Sequence, residues 1–199
     1  MISESSIRQY IGQLRWAEYS NPFIDADTEL IASGYRFDTE LRGFLMSAIS
    51  VIEIALVTQI NLAGDKTTFN SFGQARRRLE TLPAKDRQLI AINLGSTNYK
   101  QLRGALQNLN YLRNRIAHHE RVWNHRNRFA FPGIANKTVL SALGSVNNRH
   151  VLAFSLIGIA IILSKCPTLI DFERRLLDLT SGRMLSQAFL LESMGFEER

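Results

Sequence analysis

At 199 residues the chain is long enough for one domain with its own apolar core, so it needs no disulfide or metal to stay folded. A single cysteine, Cys166, excludes an internal disulfide and a multi-cysteine zinc site, and 45% apolar with 21% charged residues excludes a disordered or fibrous chain. Lys+Arg 24 against Asp+Glu 18 leaves +6, which permits a polyanionic partner without requiring one.

The opening stretch MISESSIRQYIGQLRW carries charges throughout and has no apolar run of signal-peptide length, so a cytoplasmic protein is expected. Ser5 or Ser6 caps a first predicted helix running to about Tyr19, and Asn21-Pro22 ends it, since the residue before proline avoids helical geometry. Asp25 or Asp27 then caps a long segment to about Asn61, stopped by Gly64. Leu41, Phe44, Leu45, Ala48, Ile52, Ala55 and Leu56 follow helical spacing, while Ile49, Val51 and Ile54 fill other faces. A helix apolar nearly all round belongs at the centre of a bundle. Phe44–Ile60 is interrupted by Ser47, Ser50, Glu53, Thr58 and Gln59, and Val151–Leu163 is too short for a bilayer, so both read as core helices rather than membrane spans.

Thr67 or Thr68 opens a short helix through Leu79, and Pro83 starts another through Leu94. After the Gly95-Ser96-Thr97-Asn98 loop, a helix is expected from about Tyr99 past His119. Phe131-Pro132-Gly133 breaks the pattern, and a loop with at most one helical turn leads to Asn148. Helices over Asn148–Lys165, Pro167–Leu179 and Met184–Glu192 complete the prediction. No stretch alternates as a strand would, and no internal repeat is found. The expectation is an all-α bundle with a long central helix, forming a single domain over residues 1–199.

Residues 111–126 stand apart, with three of the four histidines, four arginines and one acid. On a helix, Leu102, Ala105, Leu106, Leu109, Leu112 and Ile116 form an apolar stripe. Gln107, Tyr111, Asn114, His118 and Arg121 lie roughly opposite, and Asn114 and His118, four apart, are neighbours. Arg113 falls near the edge of the apolar stripe, where a charge needs a carboxylate, a carbonyl or a bound anion. Four chemistries fit these residue types. One is a solvated helix face. Another is a metal site at His118, His119, Glu120 and His125, although adjacent histidines diverge by about 100° and the HERVW string lacks the second histidine of HExxH. The third is a basic nucleic-acid patch with Trp123 and Phe129 among Arg121, Arg126 and Arg128. The fourth is a metal-free phosphodiester-cleaving site, with histidine as the proton acceptor and arginine as the phosphate grip.

Arg113-Asn114-x-x-Ala117-His118-His119, followed by Arg121-x-Trp123-Asn124, resembles the signature of the Abi-like (abortive infection AbiD/AbiF) family of the HEPN superfamily. Upstream, Tyr35-x-Phe37-Asp38-x-x-Leu41-Arg42 and Ile52-Glu53-Ile54-Ala55-Leu56 are similar to the family's long early helix, and the likeness spans about residues 30–165. The chain departs from the pattern at His125, where an arginine is expected (Arg126 follows), and it is shorter than many members.

The resemblance implies a HEPN-type bundle and a metal-independent RNA endonuclease of phage defence, without cofactors and with no membrane attachment. It implies a homodimer whose arginine–histidine pairs meet in a composite active site. His118 would be the general base or acid, Arg113 the stabiliser of the phosphorane, and Asn114 a holder of the phosphate or of the histidine tautomer. His119, Glu120 and Arg121 are supporting candidates, and Arg115, Arg126 and Tyr111 are expected to contact RNA. Glu53, alone in an apolar run, is either a core carboxylate paired with an arginine or an orienting group for Arg113 or a catalytic histidine. Arg76-Arg77-Arg78 is either a solvated charge run or a second RNA contact. Two other functions compete: a catalytically silent RNA-binding or regulatory domain, and a structural dimerisation module. An antitoxin or a phage trigger would restrain an active toxin.

Overall fold

The computed structural model describes residues 4–20, 28–64, 68–69, 71–132, 150–166, 171–182 and 186–196. Among these residues the chain is all-α. In order the helices are α1 (Glu4–Ile11), α2 (Gln13–Ser20), α3 (Thr28–Leu62), α4 (Phe72–Thr81), α5 (Ala84–Asn93) and α6 (Tyr99–Ala117), then α7 (Leu152–Leu163), α8 (Phe172–Thr180) and α9 (Gln187–Met194).

The architecture follows from α3. Its 35 residues make a rod of about 52 Å. Phe37, Leu41, Leu45, Ile49, Ile52, Leu56 and Ile60 recur every three or four positions, so they share one stripe and are all fully buried. α3 touches α1, α2, α4, α5, α6, α7 and α8, and one apolar cluster runs from Trp16 to Phe196. By length and composition alone α3 could cross a membrane; in this fold the other helices cover its apolar stripe. α7, LAFSLIGIAIIL, is apolar all round and buried along nearly its whole length between α3, α6 and α8.

The predicted helices are present, with shifted edges. The first is split, because Gly12 adopts φ 79° and separates α1 from α2. Asn21-Pro22, Asp25 and Asp27 lie outside the described residues, as do Thr67 and the predicted loop up to Asn148 and Arg149. α4 is capped by Ser71, whose hydroxyl accepts from the Gln74 N–H, rather than by a threonine. Pro83 sits at the N-cap of α5 and Asn98 caps α6 through the Gln101 N–H. α6 stops at Ala117, short of the predicted end beyond His119. α7 starts after Val151, which instead forms an isolated antiparallel bridge with Arg126.

The segment from His118 to Pro132 has no regular structure, and two glycines seat it on the bundle. A Cβ on Gly34 of α3 would lie 2.7 Å from the Trp123 ring, and one on Gly158 of α7 would overlap the Phe131 ring. Both aromatic side chains are fully buried in the notches. A buried polar chain holds the segment further along. Asn127 Nδ2 donates to Ser155 Oγ (2.8 Å), Ser155 Oγ to Asn108 Oδ1 (2.7 Å), and Asn108 Nδ2 to the Phe129 carbonyl (2.6 Å). The Ser155 hydroxyl and both polar side-chain atoms of Asn108 are thereby matched, as burial demands.

Candidate active site

α6 ends in a six-residue closing turn with an unusual occupant. The Glu120 N–H bonds the Arg115 carbonyl (2.9 Å) and the His119 N–H bonds the Ile116 carbonyl (3.0 Å), the paired pattern of a Schellman cap. The position that glycine normally takes in that cap is His119, at φ 57°. A left-handed conformation costs a side-chain-bearing residue about 1–2 kcal/mol. Asn124, four residues beyond Glu120, is left-handed too, at φ 50°. Left-handed backbone at two side-chain-bearing positions within six residues persists only where the surroundings over-determine it.

The surroundings do so through the backbone. Asp38 of α3 is fully buried, and its Oδ1 accepts from the N–H groups of Val122 (2.9 Å) and Trp123 (2.6 Å). Its Oδ2 accepts from the Tyr19 hydroxyl (2.5 Å) and pairs with Arg42 Nε at 3.3 Å. Arg42 in turn donates to the His119 carbonyl (2.6 Å) and to Thr39 Oγ1 (3.0 Å). Arg115 pairs with Glu120 (2.7 Å) and donates to the Arg121 carbonyl (2.7 Å), while Arg121 donates to the Glu18 carbonyl near the end of α2. The carbonyls of His119 and Arg121 and the N–H groups of Val122 and Trp123 are thus tied to α3 and α6, and the Arg121 guanidinium reaches α2. The side chains of His118 and His119 take no part and stand exposed.

Burial sets the electrostatics beneath the turn. It pushes the Asp38 carboxyl upward, against the pull of Trp123, Tyr19, Arg42 and Val122. Burial and the Asp38 charge raise the Tyr19 phenol far above its usual range, which keeps it a donor. Burial, then the charges of Arg115 and Arg121, lower His125 to about 4, so its ring is neutral at neutral pH. Its Nε2 is buried without a hydrogen-bond partner.

The predicted residues therefore fall into distinct groups. Arg113 lies in the body of α6, half-buried, with no hydrogen bond or ion pair to any described residue. Asn114 and His118 are exposed and their side chains are equally unengaged; they are linked only through the bond of the His118 N–H to the Asn114 carbonyl. No contact joins Arg113 to His118 within the chain. Glu120, Arg121 and Arg115 are engaged in holding the turn, and Arg115 also lies 5.9 Å from the Tyr111 ring, itself edge-on to Phe129. Arg126 is exposed. Glu53 is half-buried and makes no bond to Arg113 or to any histidine among the described residues. The acid that reaches the histidine turn is Asp38, through Arg42. Sequence reasoning gave these two no role, although they stand in the FDxxLR string that it singled out. Among the described residues no three His, Cys, Asp or Glu side chains converge as a metal cage.

Residues 66–124, from just before α4 to the second left-handed position of the turn, match the family model described as Abi-like protein. This segment is Abi-like. The Abi-like stretch contains Arg113, Asn114, His118 and every residue of the closing turn up to Asn124, while the Asp38–Arg42 anchor on α3 lies outside it. No curated protein and no solved structure gives a match.

Proposed function

We propose that the chain is a metal-independent RNA endonuclease of the HEPN type, acting as a cytoplasmic abortive-infection toxin. The observation that carries this reading is a half-buried Arg113 with no bond to any described residue, five positions before an exposed His118 on a turn whose backbone is pinned. A guanidinium partly withdrawn from water and left without a protein anion is suited to grip a phosphate with its two-pronged fork. Histidine is the side chain whose ordinary pKa suits proton transfer near neutrality.

The chemistry balances with the RNA supplying the nucleophile. His118 accepts the proton of the ribose 2′-hydroxyl as the O2′–P bond forms, and Arg113 neutralises charge on the non-bridging oxygens of the phosphorane. The P–O5′ bond then breaks, and a second imidazole protonates the leaving 5′ oxygen. Products carry a 2′,3′-cyclic phosphate and a 5′-hydroxyl. Arg113 and His118 do not meet within one chain, so the reading includes a two-fold homodimer in which two such helices face each other and complete the site. Asn114 lies one turn before His118 on the exposed face and would hold the phosphate. An antitoxin or a phage trigger would restrain the activity.

The separation of Arg113 from His118 is also the observation that favours the rival, an RNA-binding domain without catalysis. Purified protein incubated with RNA, the matching DNA, and RNA plus EDTA separates the two. RNA cleavage that survives EDTA and spares DNA, and that falls roughly 10²–10⁴-fold in His118→Ala, is expected. Arg113→Lys is expected to fail as well, since a point charge lacks the fork. Loss of activity in EDTA or equal cleavage of DNA overturns the mechanism.

A further inference from the structure

The chain's positive charge is not spread evenly. Residues 71–113 hold eight basic and two acidic side chains, an excess equal to the net +6 of all 199 residues. Within this span α4 and α6 run antiparallel. Glu80 near the end of α4 meets Arg103 near the start of α6 (3.4 Å), whereas a Cβ on Gly73 at the start of α4 would lie 3.3 Å from Asn110 Oδ1, two turns further along α6.

The cations along this seam exceed the anions available to them. Glu80 is shared between Arg76 (2.8 Å) and the largely exposed Arg103, so one positive charge there is uncompensated. Arg77 is exposed, with its Nη1 3.8 Å from the Cβ position of Gly73 and no bond to any described residue. Arg113 follows one turn beyond Asn110, also unpaired, and then α6 delivers Asn114 and His118. Arg103 to His118 is fifteen residues, about 22 Å along the helix, enough for a few nucleotides. At Gly73 the place of a side chain is taken by Asn110 and approached by Arg77, which brings that guanidinium to the seam.

We propose that the α4–α6 seam is the track for single-stranded RNA, with phosphates held by Arg103 and Arg77 on their way to Arg113. A single line of cations along the seam suits one strand of phosphates better than a flat lipid surface or the two backbones of a duplex. The track rests on the ribonuclease reading of Arg113 and His118 and extends it to substrate binding.

The test uses full-length His118→Ala protein, so that RNA stays intact, with a fluorescently labelled unstructured RNA oligonucleotide in an anisotropy titration at several salt concentrations. Arg77→Ala and Arg103→Ala are each expected to weaken binding and to reduce the slope of log K against log salt by about 0.7, the value for one single-strand phosphate contact. Arg174→Ala, an exposed arginine on α8, is the control and is expected to change neither. In the otherwise wild-type protein, Arg77→Ala should raise KM on long RNA and leave kcat near its original value. RNA binding with slopes unchanged by Arg77→Ala and Arg103→Ala overturns the track, as does an equal effect of Arg174→Ala. Loss of binding to anionic phosphatidylserine vesicles, with RNA affinity unaltered, would reassign the seam to a membrane. Binding on the expected slopes without any cleavage by the wild type keeps the track and removes the nuclease, whereas cleavage with unaltered slopes does the reverse.

Discussion

Replacing Asp38 with asparagine isolates the anchor under the histidine turn, because it preserves shape and removes charge. The remaining carbonyl oxygen can still accept from Val122 and Trp123, and the Tyr19 hydroxyl can rotate to accept from the new amide. Arg42 has no such remedy. Its Nε, 3.3 Å from Oδ2, would face an N–H group, and its side chain is only 8% exposed. Breaking a buried ion pair by removing one partner costs about 3–5 kcal/mol, since the other charge is left in a poor solvent. For a chain of this length each kcal/mol moves Tm by about 2–4 °C, so a fall of roughly 6–20 °C is expected in a thermal melt followed by circular dichroism. Adding Arg42→Met removes the stranded charge and should recover part of the loss, which a double-mutant cycle would read as coupling between the two sites. Hydrogen exchange at the Val122 and Trp123 amides should quicken in the single variant. A destabilisation below about 1 kcal/mol in Asp38→Asn, or the same penalty with Met at position 42, would refute the claim that this pair holds the turn.

Other expectations follow from single residues. His119→Gly relieves the left-handed strain and should raise stability by about 1 kcal/mol, seen as a higher urea midpoint at an unchanged m-value; an unchanged or lower midpoint would show that the turn carries no strain there. Gly158→Ala drives a methyl into the Phe131 ring and should cost about 1–3 kcal/mol or more, whereas Gly43→Ala, facing open space in the middle of α3, should stabilise by about 0.5–1 kcal/mol. His125 is depressed to about 4 from the ordinary 6.5, so the unfolded chain binds the proton more readily. Its contribution is present above pH 6.5 and is lost as pH falls toward 4, and His125→Gln should flatten the stability profile in that window alone. Equal slopes for both proteins would contradict the burial of the ring.

Much of this was legible in the sequence because the signals are local. The i, i+4 apolar stripe of α3, the all-apolar α7 and the capping Asn98 each declare themselves within a few residues. The end of α6 did not. Its cap uses histidine where glycine is usual, so nothing in Ala117-His118-His119 marks a stop. Gly12 illustrates the opposite difficulty: one glycine in an otherwise helical pattern is often tolerated, and here it adopts φ 79° and divides the helix. Glu53 attracted notice as the lone acid in an apolar run, yet its face of α3 is only half covered. Asp38 sits in a more polar stretch and looks ordinary, and its partners lie 84 and 85 positions downstream. No periodicity reports a contact of that range. The RNxxAHH string, by contrast, was visible as chemistry, and the structure adds that its backbone is fixed while its imidazoles are left free.

The span between Asp38 and Trp123 also orders events during synthesis. At about 5–20 residues per second, roughly 4–17 s pass between translation of the two ends of that clamp. Through that interval α3 carries an acid with its two N–H donors missing and a notch at Gly34 that no indole fills. The backbone that carries the imidazoles is pinned only when the turn has emerged and closed this long loop, whose entropy must be met before any of its bonds form. A growing chain therefore holds α3 and its Asp38–Arg42 anchor well before the histidine turn exists to dock on it.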